Sequence, residues 1–299
     1  MLNRQNLNHG LGLQRNREFN VSLKSDWPKS PRLHTPPVAV FGRGYIGSLL
    51  ASALSAVSMQ SIAGRRASQA AGIAIIASGP PSVAVSTELI VDWESKLARW
   101  VYHFSENFER VIYISSAGTI YGEAGETSSK EDDLLAPTSM YGKYQRRVED
   151  FLLANCESKT TIARLTNIYG PRQLTKLNQG FVSTAVRAIR RNEALTLFGD
   201  GENVRDYIHE KDVVNAIEHL TKNPVEGIFN ISSEFRHSQN EIISHVERAW
   251  GRELEVHFKP RRHCDLKNVN VSNAKLSQIF GWRPQYRIET GIQTYLQQV

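Results

Sequence analysis

The chain has 299 residues, of which 40% are hydrophobic and 22% charged, a composition typical of a globular protein with one large or two modest domains. No apolar run approaches the roughly 20 residues that a membrane-spanning helix needs, and the N-terminus lacks the apolar segment of a secretory signal. We therefore expect a cytoplasmic protein that does not bind a membrane.

The formal net charge of +6 is concentrated at the N-terminus. Residues 1–36 contain six Lys or Arg and two acidic residues, so they carry +4 and the remaining body +2. A nearly neutral body argues against a basic face that tracks nucleic-acid phosphates. Because residues 1–36 lack apolar periodicity, we predict a disordered basic tail, with an organellar targeting peptide as the alternative. Cys156 and Cys264 lack the spacing of a disulfide framework or a zinc site, so no metal is expected.

After the tail, short apolar runs alternate with helical patterns, which predicts an α/β fold with a Rossmann-type, doubly wound parallel sheet. The predicted strands are 37–42, 60–64, 72–79, 110–118 and 160–170, the last of which closes the sheet. The predicted helices are 45–57, 88–104 and one that contains Tyr141.

Beyond residue 171 the predicted elements become shorter and more mixed. They are a helix over 179–192, a strand over 195–199, a helix from Asp212, a strand over 227–232 and C-terminal helices. We therefore divide the body into a shortened dinucleotide-binding domain, residues 37–171, and a smaller mixed α/β substrate lobe, residues 172–299. Some exchange of chain between the two lobes is expected.

A glycine-rich turn follows the first predicted strand. Gly42, Gly44 and Gly47 have G-x-G-x-x-G spacing and open the next helix, whose unpaired N–H groups and dipole favour a pyrophosphate. This context predicts a dinucleotide site that also includes Tyr45 and Ile46, whereas the simpler interpretation is a plain strand-to-helix turn.

Arginines occupy the region where an acidic residue would bind the 2′-hydroxyl of NAD. About 20 residues after the glycines the chain has Arg65 and Arg66 and no carboxylate, and guanidinium groups suit a 2′-phosphate. NADP is therefore favoured over NAD as cofactor, and the alternative is that both arginines are solvated loop charges.

Four further motifs follow in order. They are "YISSAGTIYG" (113–122), "PTSMYGKYQRRVE" (137–149), "RLTNIYGPRQ" (164–173) and "LFGDGENVRDYIHEKDVVNAI" (197–217). With these motifs the chain resembles the extended short-chain dehydrogenase/reductase family over residues 37–298. Within that family it is most similar to NAD-dependent epimerases and dehydratases of nucleotide sugars, such as UDP-glucose 4-epimerase-like proteins.

The resemblance implies roles for particular residues. Tyr141 matches the family's catalytic tyrosine, which exchanges a proton with a sugar hydroxyl while hydride moves to or from the nicotinamide. Ser115 and Ser116 lie in the loop whose hydroxyl hydrogen-bonds the same sugar oxygen. The matching substrate-binding positions, which commonly hold the nucleotide diphosphate, are Asn167, Arg205 and Arg262. An altered cofactor loop is matched by Ala77 and Ser78.

The chain departs from the family pattern at three places. The family has lysine four residues after the tyrosine, but this chain has Gln145, which can keep a contact to the cofactor ribose but lacks the charge that lowers the tyrosine pKa. In the serine loop Ala117 replaces the usual Ser or Thr, so Ser116, or alternatively Thr119, is expected to supply the hydroxyl. The first lobe is also too short for the usual set of strands.

The resemblance therefore implies an enzyme that epimerises a nucleotide sugar by hydride transfer with NAD or NADP. The alternatives are an NADPH-dependent reductase of keto-sugar nucleotides and a catalytically impaired nucleotide-sugar-binding protein. A homodimer formed through the Tyr141 helix and its neighbour is expected from the resemblance.

Overall fold

The computed structural model describes residues 37–59, 72–80, 103–156, 159–175, 180–262 and 265–296. The strands, numbered in chain order, are β1 Val38–Phe41, β2 Val57–Met59, β3 Ile73–Ile76, β4 Arg110–Ser116, β5 Lys159–Leu165, β6 Asn167–Tyr169, β7 Leu195–Phe198, β8 Val204–His209, β9 Gly227–Ile231, β10 Arg236–Ser238 and β11 Val256–Lys259. The α-helices are α1 Tyr45–Ala53, α2 Ala117–Ile120, α3 Met140–Asn155, α4 Phe181–Arg191, α5 Glu210–Lys222, α6 Gln239–Trp250, α7 Ala274–Phe280 and α8 Ile288–Leu296. A 3₁₀-helix spans Pro171–Thr175.

Six strands form a parallel sheet in the order β2, β1, β3, β4, β5, β9. The central strands β3 and β4 are buried on both faces, as a parallel sheet covered by helices requires. Strand β3 is a continuous apolar run, whereas β4 also contains polar residues. The strand order reverses next to β1, and ligands of open parallel sheets bind at such a reversal, beyond the carboxyl ends of the strands. The predicted α/β fold with a Rossmann-type sheet is confirmed.

Helices cover both faces of this sheet. On one face, Leu50 of α1 and Ile217 of α5 lie in a buried apolar cluster with residues of β1, β3, β4, β5 and β9. On the other face, α3 packs in a cluster that also contains Phe104, whose ring lies edge-on to Phe41 with centroids 4.7 Å apart. The two clusters fix where α1 and α3 begin relative to the carboxyl edge of the sheet.

The C-terminal part of the chain builds two smaller sheets. Strands β6, β8 and β10 form one, and β7 pairs in parallel with β11 in the other. Helices α4, α6 and α8 share a third apolar cluster. Strand β9 lies in the large sheet although it follows residue 171.

The structure corrects two element boundaries. Helix 45–57 was predicted too long: α1 ends at Ala53 because Ser55 is left-handed, with φ +49°, and β2 begins at Val57. The predicted strand 160–170 is two strands, since β5 joins the large sheet and β6 pairs with β8. Between them the Thr166 hydroxyl donates to Asp206 Oδ1 at 2.5 Å. In the large sheet, β9 pairs with the far side of β5, so β9 and not β5 is the outermost strand at that edge.

Several predicted features fall outside the described residues. These are the tail 1–36, the strand 60–64 with Arg65 and Arg66, Cys264, and most of the helix 88–104. Of that last helix, residues 103 and 104 lie in a described helical segment, 103–107.

Candidate functional site

One cavity of about 880 Å³ opens at the carboxyl edge of the large sheet. The glycine turn, the loop after β3, the end of β4 and the start of α3 line one part of it, and β7, β8 and the segment around residue 262 line another. The predicted site residues that line it are Gly44, Tyr45, Ile46, Ala77, Ser78, Ser116, Thr119, Tyr141, Gln145, Asn167, Arg205 and Arg262.

The glycine turn has the shape that a pyrophosphate requires. Gly42 has φ +133°, and a Cβ there would lie 2.1 Å from the carbonyl oxygen of Ala77, so only glycine lets β1 approach the loop after β3. A Cβ on Gly47 would lie 2.2 Å from the Gly42 oxygen. A Cβ on Gly44, by contrast, would meet nothing within 4 Å.

Helix α1 begins directly after this open position. Its N-cap is Gly44, which offers no side-chain cap, and its first turn contains no acidic residue. Free N–H groups and the helix dipole therefore face the cavity and favour an anion. The Tyr45 side chain points elsewhere, since its hydroxyl donates to Glu210 Oε2 at 2.6 Å. The backbone of this turn thus fits the pyrophosphate of NAD or NADP.

The start of α3 places Tyr141 at the cavity. Ser139 caps the helix by accepting from the Gly142 N–H at 3.0 Å. A Cβ on Gly142 would lie 2.5 Å from the Thr119 carbonyl oxygen, so this glycine lets α3 pack closely on α2. The close packing brings Tyr141, which is half-buried, to the same cavity wall as Thr119.

Gln145 lies one helical turn after Tyr141 and is bonded on two sides. The Tyr113 hydroxyl donates to Gln145 Oε1 at 2.5 Å. The Gln145 side chain also hydrogen-bonds Tyr141, which lowers the pKa of Tyr141. Burial acts in the opposite direction and more strongly, so the pKa of Tyr141 is raised above its ordinary value.

Glu149, one turn further along α3, belongs to a buried polar network. The Arg164 guanidinium contacts both carboxylate oxygens, with the shortest distance 2.7 Å from Nη2 to Oε2. Ser115 also donates to Glu149, and Arg164 Nη1 donates to the Tyr121 hydroxyl at 2.7 Å. Ser115 also lines the cavity, but its hydroxyl is engaged by Glu149, which leaves Ser116 as the hydroxyl available to a ligand.

Ser116 and Thr119 form a hydroxyl pair on the cavity wall. Thr119 Oγ1 donates to Ser116 Oγ at 3.0 Å, so Ser116 keeps its own proton for another acceptor. Ala117 is buried beneath them in α2. This arrangement offers a donor to a ligand oxygen without a hydroxyl at position 117.

Two arginines and an asparagine lie at the other end of the cavity. The Arg205 guanidinium is bonded to carbonyl oxygens, among them Leu266 at 2.5 Å and Val204 at 2.8 Å, contacts that do not neutralise its charge. Burial lowers the pKa of Arg205 from its usual value. Arg262 pairs with Asp265 at 2.8 Å and lies over the Phe198 ring. Asn167 donates to the Asp206 carbonyl oxygen at 3.0 Å.

Sequence reasoning missed two polar partners of the Tyr141 helix, Tyr113 and Arg164. Tyr113 and Ser115 are two residues apart on β4, a distance of roughly 6.6 Å along the strand. Gln145 and Glu149 are four residues apart on α3, roughly 6.0 Å along the helix axis. Because the two spacings match, Tyr113 meets Gln145 and Ser115 meets Glu149. The available signal was the presence of polar side chains two apart in an otherwise apolar, buried strand. Among the described residues, no cluster of three His, Cys, Asp or Glu is arranged to hold a metal.

The chain is similar to known proteins over part of its length. Residues 91–232 match the model of the NAD dependent epimerase/dehydratase family. The chain is 30% identical over 188 residues to the UDP-glucose 4-epimerase of Mycolicibacterium smegmatis, covering 61% of this chain and 60% of that protein. It is 26% identical over 200 residues to the dTDP-4-dehydro-6-deoxyglucose reductase of Escherichia coli, covering 66% and 63%. The chain thus spans less than two thirds of the length of these curated relatives.

Solved structures share the fold at low identity. A UDP-glucose 4-epimerase from Thermotoga maritima with UDP-glucose has a TM-score of 0.79 and 24% identity, covering 88% of this chain and 99% of that one. A UDP-glucose 4-epimerase from Thermus thermophilus in complex with NAD has a TM-score of 0.78 and 24% identity, covering 87% and 98%. In the described ranges, no helix is both long and apolar enough to cross a membrane. Residues 91–232 are thus similar to the NAD dependent epimerase/dehydratase family, and the solved structures share the fold of the chain.

Proposed function

We propose that the protein is an NAD(P)-dependent enzyme that moves a hydride at one sugar carbon of a nucleotide sugar, with epimerisation as the overall reaction. The observation that carries the proposal is the meeting of Tyr141, Ser116 and the glycine turn at one cavity. The relatives named as UDP-glucose 4-epimerases support epimerisation as the first candidate.

Gly44 and the N-terminus of α1 would hold the cofactor pyrophosphate, and Gln145 would contact the nicotinamide ribose. When bound, the nicotinamide takes up and returns the hydride of a sugar carbon. Arg65 and Arg66 favour NADP by sequence, whereas the Thermus thermophilus relative is a complex with NAD. The structural fit of the glycine turn is the same for both, because both carry a pyrophosphate.

Tyr141 exchanges the proton of the sugar hydroxyl. It accepts this proton as the carbonyl forms and returns it when the carbonyl is reduced, while Ser116 donates a hydrogen bond to the same oxygen. At the other end of the cavity Arg205 is the stronger candidate for the nucleotide diphosphate, because its charge is bonded only to neutral carbonyls in the contacts described above. The Asp265 carboxylate partly satisfies Arg262.

A reductase of keto-sugar nucleotides is the second candidate. Burial raises the pKa of Tyr141 above its ordinary value and outweighs the opposing hydrogen bond of Gln145, so the tyrosine is protonated at neutral pH. A protonated tyrosine is ready to donate to a carbonyl oxygen but must first lose its proton to act as a base. The Escherichia coli relative named as a reductase supports the same direction. A binding protein with impaired catalysis is the remaining alternative, motivated by Gln145 and Ala117.

We also propose a cytoplasmic homodimer, formed through α3 and the neighbouring helix predicted over 88–104, on the ground of the family resemblance. Sedimentation of the purified protein tests it: a monomer at micromolar concentration would contradict the dimer.

The first experiment identifies the cofactor. Nucleotide released on denaturing the purified protein is analysed, and the folded protein is titrated with NADH and NADPH. Retained NAD supports the epimerase and exchangeable NADPH the reductase, while no affinity for either would remove the proposed chemistry and favour the binding protein.

Tyr141→Phe is then assayed with UDP-glucose and with a dTDP-4-keto sugar. Removing the hydroxyl is expected to lower turnover by about 10² to 10⁴-fold, because the proton transfer is lost, with cofactor affinity little changed. The matched control is Tyr295→Phe, which removes a buried tyrosine hydroxyl bonded to Ser183. Turnover by Tyr141→Phe close to that of the wild type would exclude this tyrosine as the acid/base.

A further inference from the structure

The hydroxyl of Tyr113 has a defined partner in the interior of the protein. Its side chain is 1% exposed and lies in the apolar cluster between the large sheet and α3. Its hydroxyl donates to Gln145 Oε1 at 2.5 Å. Burial raises the pKa of Tyr113 well above its ordinary value, so the hydroxyl keeps its proton and acts as the donor.

This contact determines how the Gln145 carboxamide is oriented. A carboxamide presents an acceptor oxygen on one side and a donor nitrogen on the other. With the oxygen facing Tyr113, the nitrogen of the carboxamide is left for Tyr141. The same nitrogen lies near Gly79 in the loop after β3, since a Cβ on Gly79 would be 4.0 Å from it. Gln145 is itself 3% exposed, so water does not compete freely for either side.

The surrounding groups leave this arrangement intact. Among the described residues, the titratable side chains that act on Tyr113 are Tyr144, Tyr141 and Glu149. Glu149 is already engaged by Arg164 and Ser115, and it sits a helical turn away from Gln145. The orientation of the carboxamide therefore depends on Tyr113.

We propose that Tyr113 is a positioning residue: its hydroxyl holds the Gln145 carboxamide with the nitrogen toward Tyr141, and this neutral pair sets the proton affinity of Tyr141 in place of a charged side chain. The inference rests on the proposed role of Tyr141 as acid/base. It adds a residue that touches neither substrate nor cofactor and acts only through Gln145.

The test measures the ionisation of Tyr141 directly. The full-length protein is labelled with ¹³C at the tyrosine ring carbon that bears oxygen, and its ten tyrosines are followed by NMR through an alkaline titration, with Tyr141→Phe identifying the signal. In Tyr113→Phe the carboxamide is free to turn its oxygen toward Tyr141. The pKa of Tyr141 is then expected to rise by about one unit, which lowers the phenolate fraction at neutral pH about tenfold.

A double variant separates positioning from general packing. In a Gln145→Lys background no carboxamide remains to be oriented, so adding Tyr113→Phe is expected to leave the pKa of Tyr141 unchanged. Tyr295→Phe, at another buried tyrosine, controls for loss of a buried hydroxyl. If Tyr113→Phe does not fold, Gln145→Met is measured instead. It removes the carboxamide nitrogen that faces Tyr141 and is expected to raise the pKa of Tyr141 by a similar amount.

The inference would be overturned if Tyr113→Phe left the pKa of Tyr141 unchanged. It would also be overturned if Tyr113→Phe shifted that pKa equally in the wild-type and the Gln145→Lys backgrounds. The titration needs neither cofactor nor substrate. A protein that shows the expected coupling but binds no NAD(P) would contradict the proposed function and leave the positioning role of Tyr113 standing.

Discussion

Gln145 shows at the scale of one residue how a small change of chemistry alters a site. It occupies the position at which the family that the chain resembles has lysine, is buried, and accepts a hydrogen bond from Tyr113. A carboxamide can orient Tyr141 by hydrogen bonding, but it supplies no positive charge to stabilise the phenolate. Tyr141, the proposed acid/base group, therefore has a hydrogen-bond partner at position 145 but no positive charge there to favour its phenolate.

Restoring the charge tests this interpretation. Gln145→Lys is expected to lower the pKa of Tyr141 by about 1–2 units and to raise turnover at neutral pH about ten- to a hundredfold, because more phenolate is present. The measurement is the pH dependence of turnover. Gln145→Met, which is similar in length and uncharged, is the control and is expected to give no gain. A lysine variant with the pH profile of the wild type would contradict the electrostatic explanation.

Arg110 illustrates how the element scale depends on contacts that are distant in sequence. It begins β4, is 6% exposed, and donates to the carbonyl oxygens of Thr221, Leu220 and Asn223 at 2.9, 2.5 and 2.7 Å. These carbonyls end α5, where helix N–H groups are no longer available and a positive charge is favourable. One guanidinium thus caps the helix and ties it to the large sheet.

Arg110→Met should separate this stabilising role from function. Loss of the charged hydrogen bonds is expected to lower the free energy of unfolding by about 2 to 4 kcal/mol in urea titrations. Arg110→Lys keeps the charge but not the planar fork, so an intermediate loss is expected. Cofactor affinity should stay unchanged, since Arg110 lies at the amino end of β4 and the cavity at the carboxyl edge. A methionine variant as stable as the wild type would rule out the cap.

Asp206 connects the sheets at the scale of the whole molecule. From β8 its Oδ1 accepts from Thr166, between β5 and β6, and from the N–H of Ser233, which follows β9. Its other oxygen has no hydrogen-bond partner among the described residues. Burial is the main cause that raises the pKa of Asp206 to about 6.

The sign of its effect on stability follows from linkage. The folded protein holds this proton more tightly than the unfolded chain, so the stabilisation is complete below the unfolded pKa of 3.8 and is lost as the pH rises to about 6. The loss is on the order of 3 kcal/mol. Asp206→Asn removes the ionisable carboxyl group and with it this loss. The stability of the variant relative to the wild type should therefore increase from pH 4 to pH 7.5. Denaturant titrations at both pH values check this, and a difference that does not vary with pH would contradict it.

Local patterns were sufficient for the order of most elements and for naming candidate residues, most of which line one cavity. The turn of Gly42, Gly44 and Gly47, and the helix start at Tyr141, depend on residues that are adjacent in sequence, where steric limits and hydrogen-bond geometry act over a few bonds. Apolar residues likewise identified β3 and β4, because a parallel strand that is buried on both faces is mostly apolar. The end of α1 was missed because Ser55, a residue that gives no strong stop signal, takes a left-handed conformation.

The sequence by itself thus determined the Rossmann-type sheet, the glycine turn and the set of residues from which a site could be built. Only the tertiary structure decided that Tyr113 hydrogen-bonds Gln145, that Glu149 is paired with Arg164, and that the Ser115 hydroxyl is bonded to Glu149 although Ser115 and Ser116 both line the cavity. These contacts join residues 15 to 34 positions apart. Their energies arise from burial and from the few partners left after water is excluded, and neither is set until the strands and helices have packed.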